Sequence, residues 1–277
     1  MKPVSKQRGA ICGLLFTTAI ALVFAVGSAW AAPAPANPPL APPPPQQYAQ
    51  CLALAHTNPK HAYDEARGWR EADGGFPAQH CEAVALIGLK KYAEAANKLE
   101  NLAGAMMLSG PDLRGEALDQ AGQAWILAGQ IDKAKADFDG AIAYAPKNSQ
   151  FLTDRAEALA LQKKFFDAID DLNRAIALDP KNVEALIYRA SAYRQINSLS
   201  LALDDIKRAL DVEPDAAPAY LERGIIRRLK NDTAGARADW KHVEALAPNS
   251  PAAEAAKEDI AGLLAPAQPT PAPTAAR

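Results

Sequence analysis

The sequence predicts an all-α solenoid, about six antiparallel helical hairpins in a stack with one C-terminal capping helix. Three observations carry this. Pro146, Pro180, Pro214 and Pro248 recur at a single spacing of 34 residues. Two more columns keep the same period: Gly122, Ala156, Ala190 and Gly224 are always small, and Ala134, Ala168, Ala202 and Ala236 are always alanine. Four residues after each of those alanines stands a large apolar residue, Phe138, Leu172, Ile206 or Trp240. A small residue lets two helices approach, a bulky one fills the space beside the contact, and proline stops the second helix. A lone hairpin of this kind cannot bury both of its apolar faces, so hairpins stack.

In chain order, Lys2, Lys6 and Arg8 precede an apolar run from about Ala10 to Ala25, followed by Ser28-Ala29-Trp30-Ala31. This is the form of a secretory signal peptide cut after Ala31. The run is shorter than the roughly 20 residues of a spanning helix, the form an uncleaved anchor would take. Cys12 lies at the front of the run rather than after it, which argues against lipidation. Residues 32–46 are a Pro/Ala-rich linker, extended because proline fixes φ and lacks a donor. Residues 47–114 read as two divergent hairpins, and 115–250 as four regular units, 115–148, 149–182, 183–216 and 217–250. The stretch Met106–Pro111 breaks the period. Residues 251–265 form the cap, and 266–277 a disordered Pro/Ala tail.

Trp125, Leu159 and Tyr193 add a large apolar slot three residues after the small column, with Arg227 in the last unit. With this slot, the pattern resembles the tetratricopeptide repeat family over residues 115–248. The resemblance implies a right-handed superhelix whose inner groove is lined by the first helix of each unit. By resemblance, the groove would include Asp119, Gln123, Thr153, Glu157, Ile187, Ser191, Leu221 and Ile225. The lysine and asparagine set with which some members grip a carboxylate terminus is absent from these positions.

Two charged columns share the period. Arg155, Arg189 and Arg223 stand one before the small column, where the first unit has Ala121. Asp137, Asp171, Asp205 and Asp239 stand one before the bulky column. We expect ion pairs across units, Asp137 with Arg155, Asp171 with Arg189 and Asp205 with Arg223, fixing the register of the stack. Pairing within a unit, with Asp137 left over, is the alternative, and the three arginines could instead form an anion site. Near the last unit, Arg194, Arg227, Arg228 and Lys230 form a basic cluster. Cys51 and Cys81 survive signal cleavage, and an even count in an exported chain favours a disulfide. Metal binding competes, because His56, His61 and His80 are nearby, but their spacing does not put ligands on one helix face.

Signal cleavage leaves 27 Lys and Arg against 32 Asp and Glu, a net charge of −5. That argues against a nucleic-acid partner, which needs a basic footprint. No phosphate loop, G-x-S-x-G or H-E-x-x-H is present, so no catalytic residue, metal or cofactor is expected. No membrane span is expected after cleavage. The expected function is a non-enzymatic periplasmic scaffold, of Gram-negative type, that binds a peptide or helix of a partner protein. The alternative is a small-ligand or metal-binding envelope protein using the Cys/His-containing hairpins or the arginine column.

Overall fold

The computed structural model describes residues 45–106 and 111–264. The expected signal peptide, nearly all of the linker, residues 107–110 of the stretch that breaks the period and the C-terminal tail lie outside them. Thirteen α-helices account for the secondary structure of the described residues, and they fall in two compact units divided after Lys90.

The first unit holds α1 (Pro45–Thr57), α2 (Pro59–Glu71) and α3 (Gly75–Gly88). Asn58 caps α2 with its side chain, and Pro59 starts the helix, where a missing donor costs nothing. Each of the three helices packs on the other two. Ala55, Ala62, Val84 and Ala85 form one small core, with Leu52 and Tyr63 against it. Cys51 and Cys81 are joined in a disulfide, flanked by Ala66 and Trp69. Arg70 meets the buried Glu82 at 3.0 Å.

The second unit runs through α4 (Tyr92–Ala105), α5 (Pro111–Leu127), α6 (Ile131–Tyr144), α7 (Ser149–Leu161), α8 (Phe165–Leu178), α9 (Val183–Gln195), α10 (Leu199–Val212), α11 (Ala217–Leu229), α12 (Thr233–Leu246) and α13 (Pro251–Leu264). Every helix packs on its successor. The odd-numbered helices α5, α7, α9, α11 and α13 also adjoin one another, so they build one continuous face.

The repeated columns explain this packing. The small residue of each hairpin faces the bulky one, and their sizes compensate. A Cβ on Gly122 would lie 2.6 Å from Phe138, and one on Gly224 would collide with the Trp240 ring. Opposite the smaller Leu172 and Ile206 the sequence has Ala156 and Ala190. All four bulky side chains are buried, each contributing about 2 kcal/mol from lost apolar surface. The turn inside each hairpin uses a left-handed residue at the same column, Gly129, Lys163, Asn197 and Asn231. The proline column falls in the connectors after α6, α8, α10 and α12. Beyond them, Asn148 and Asn182 cap α7 and α9. Ala253 and Ala256 of α13 close over Trp240 and Val243, so the apolar end of the array is covered.

Candidate functional site

Two groups of buried carboxylates stand out in the second unit. In the first, each is held by arginine. Arg155 grips Asp171 through Nε at 2.7 Å and Nη2 at 2.6 Å. Arg189 holds Asp205 at the same two distances. Arg223 holds Asp239 at 3.0 and 2.7 Å. These pairs lie within one hairpin, which corrects the expected pairing across units. The reason is geometric: the small and bulky columns of one hairpin face each other, so the residues just before them do too. Planar two-point contact also favours arginine in this role.

The arginines nevertheless reach across the repeat boundary with their remaining nitrogen. Arg155 Nη1 donates to Asp139 at 2.9 Å, and Arg189 Nη1 to Asn173 at 2.8 Å. The equivalent position before Arg223 is Lys207, which offers no acceptor. There Arg227, the exception in the apolar slot, supplies a second contact to Asp239 at 2.8 Å. Asp239 is therefore buried and doubly held, not left at an exposed end. The basic cluster near the last unit is largely paired as well, Arg194 with Glu222 and Arg228 with Asp259.

Asp137 is the member without an arginine, because Ala121 stands opposite it. Its Oδ2 is buried without a hydrogen-bond partner. Burial, then the charge of Glu100 on α4, pushes its carboxyl up to about 7, against the pull of Lys133 and a hydrogen bond from Trp125. Trp125 Nε1 also donates to Glu100 at 2.6 Å.

The second population lies on the face of odd-numbered helices. Asp119 of α5 and Asp154 of α7 are almost completely buried, at 5% and 4% exposure. Gln123 spans them with one amide nitrogen, 3.0 Å from Asp119 and 3.2 Å from Asp154. Gln150 likewise links Asp154, at 3.1 Å, to Glu184 of α9, at 3.0 Å. Burial, followed by the charge of Asp154, raises the Asp119 carboxyl well above its ordinary range. Burial and Glu184 push Asp154 up to about 7. Burial and Glu184 also raise Glu157, which takes a hydrogen bond from Tyr188. No lysine or arginine is among the groups that act most strongly on these three.

The expected groove residues divide accordingly. Asp119, Gln123 and Glu157 belong to this face. Ser191 accepts from Arg194 at 3.2 Å, one turn further along. Thr153 is fully buried, donating to the Ser149 carbonyl and accepting from Asn182, so it secures the helix start instead of lining a groove. Ile187 packs on the central core, and Leu221 and Ile225 on the cluster around Trp240. Sequence reasoning missed Gln150, Asp154, Glu184 and Tyr188. The 34-residue step from Gln150 to Glu184, and from Asp154 to Tyr188 and Glu222, was the available signal.

The disulfide makes both thiols of the first unit unavailable as thiolate ligands. Among the described residues, no group of three or more His, Cys, Asp or Glu is placed to hold a metal ion. None of the described helices is long and apolar enough to cross a membrane.

The tetratricopeptide repeat family matches residues 122–183 and 164–210. No curated protein matches the chain. Among solved structures, a tetratricopeptide repeat protein from Parabacteroides merdae superposes with a TM-score of 0.62 at 20% identity, over 81% of this chain and 87% of that one. The MamA RS-1 ArsTM double mutant gives 0.50 at 20% identity, over 66% and 94%. The OM64 repeat domain from Arabidopsis gives 0.42 at 27% identity, over 43% and 98%.

Proposed function

We propose that this chain, a member of the tetratricopeptide repeat family, is a non-enzymatic scaffold that binds a segment of a partner protein on the face built by α5, α7, α9 and α11. One observation carries the reading: Asp171, Asp205 and Asp239, between the helices of single hairpins, are each held by an arginine, whereas Asp119 and Asp154, where α5, α7 and α9 meet, are buried with no lysine or arginine among the groups that act on them most strongly. Isolated buried charge is costly and is retained where it serves a ligand or a specific register. Register is already served by the second contacts of Arg155 and Arg189 across the repeat boundary. The polar surround of Gln123, Gln150, Tyr188 and Ser191 supplies donors and acceptors for an extended backbone. The proline-rich ends act as spacers. The signal-peptide form of residues 1–31 supports export to the periplasm of a Gram-negative cell.

The test is site-specific photocrosslinking in cells. A photoreactive residue at Gln123 or Ser191 is expected to capture a protein partner, and one at the exposed Lys207 of α10 is not. Capture at Lys207 alone, or equally at all three positions, would sink the reading. Fractionation with N-terminal sequencing checks export: the expected product is periplasmic and begins at Ala32.

A further inference from the structure

We infer that the carboxylate cluster where α5, α7 and α9 meet receives one cationic side chain, a lysine ammonium or arginine guanidinium, from a partner polypeptide. The inference rests on the peptide-binding reading above and names what that face selects.

The cluster consists of Asp119, Asp154, Glu157 and Glu184, drawn from three consecutive first helices. An acidic cluster alone would mark only a solvated surface. Here Asp119 supplies a second observation. It is almost wholly buried, its Oδ2 accepts from Gln123, and its Oδ1 has no hydrogen-bond partner. Once Asp119 is ionised, a buried oxygen without a donor is a cost that a cationic donor would remove. A nitrogen donor already fits between the two buried carboxylates, since the Gln123 amide spans both. That neutral amide has two hydrogens and satisfies one oxygen on each. An ammonium brings three donors and a full charge, and a guanidinium five donors. Either could serve the bare oxygen while offsetting one of the two negative charges.

Charge complementarity decides the class of occupant. An anionic or carboxylate-terminal peptide would meet four carboxylates. A divalent metal is disfavoured because, among the described residues, no three ligating groups converge. The half-exposed Gln123, Glu157, Glu184 and Tyr188 connect the buried pair to solvent and give a long side chain its route. Burial raises both carboxyls, helped by the charge of Asp154 at Asp119 and of Glu184 at Asp154, so a cation entering the cluster below about pH 7 displaces protons. The groups facing them are Gln123 on α5, Gln150 and Glu157 on α7, and Glu184 and Tyr188 on α9. None of these supplies a competing positive charge. Affinity therefore rises as pH rises through about 7.

The experiment is selection from a random dodecapeptide library on the purified full chain, alongside the Asp119→Asn/Asp154→Asn variant. The expected result is enrichment of lysine or arginine at one position, absent with the variant. In a selected peptide, replacing that residue by norleucine or citrulline should weaken binding by at least about 30-fold, the loss typical when one side of a buried charge pair is removed. Binding should tighten from about pH 5.5 to pH 8. The variant's circular dichroism and urea midpoint establish that it folds. Selected peptides without basic enrichment, or with equal affinity after the norleucine change, would overturn this inference and leave the peptide-binding reading intact. Failure to select any peptide above background would overturn both. Calcium or magnesium competing with the peptide at millimolar concentration would overturn the side-chain assignment in favour of a metal.

Discussion

Asp205 and Asp154 are both almost fully buried carboxylates in the same array of hairpins, yet their surroundings are opposite. Asp205 sits between the two helices of one hairpin, with both oxygens bound by Arg189 and a further contact from Arg208. Asp154 sits between first helices of neighbouring hairpins, among amides and other carboxylates. The lesson is that burial of an acid does not by itself assign a role. The first environment completes its own charge balance, as a structural device must. The second is completed only by a proton or by something from outside.

Breaking the first environment should have the largest effect. Arg189→Ala leaves Asp205 buried with only the more exposed Arg208 beside it, and frees Asn173. The expected loss is about 3 kcal/mol, read from the urea midpoint by circular dichroism. Replacing both partners by apolar residues, Arg189→Met with Asp205→Leu, should recover most of it, because no stranded charge remains. Peptide binding on the odd-helix face should be unaffected by either change. If Arg189→Ala left stability unchanged and removed binding, the arginine column would be a ligand site and the contrast would fail.

The second environment should respond in the opposite direction. Asp154 binds its proton more tightly in the folded protein than in the unfolded chain, since burial raises its carboxyl to about 7 from an ordinary value of 3.8. Its contribution to stability is therefore fully present below about pH 4 and is lost as pH rises through about 7. An amide in its place would carry no such penalty. Asp154→Asn should stabilise the protein by about 2 kcal/mol near pH 8 and by little near pH 4, measured as paired urea titrations. A destabilisation at pH 8 would mean that the carboxylate has a cationic partner within the chain.

How much of this was legible in the sequence follows from the same contrast. Positions that do one job in every hairpin recur at the period, so the columns of Gly122, Phe138, Pro146 and Arg155 could be read directly. The partner of each arginine was also implicit, since facing columns fix facing neighbours, but the expected pairing followed the repeat boundary instead of the hairpin. The odd-helix face was only partly visible. Successive residues on a helix point about 100° apart, so of Thr153 and Asp154 only one can belong to the open face. Choosing Thr153 placed a buried, hydrogen-bonded hydroxyl in the groove and left out the carboxylate beside it. The face also varies from unit to unit, Asp154 then Tyr188 then Glu222, because selectivity requires unlike residues where structure requires like ones.

Asp137 lies between the two environments and gives the smallest, sharpest test. By column it belongs with Asp171, Asp205 and Asp239. By surroundings it belongs with Asp154, because Ala121 has removed its arginine and Glu100 has taken a place nearby. Lys133, over the Trp125 ring at 4.0 Å, offsets this only in part. Its raised carboxyl, at about 7, again means stability present at low pH and lost as pH rises through neutrality. Partial exposure screens the effect, so Asp137→Asn should add about 1 kcal/mol near pH 8 and almost nothing near pH 4. If surroundings rather than column decide the behaviour of a buried acid, Asp137→Asn and Asp154→Asn flatten the pH profile in the same sense, and a replacement at Asp205 is destabilising at both pH values. A destabilising Asp137→Asn at pH 8 would instead place Asp137 with its column, and the repeat position would be the better guide.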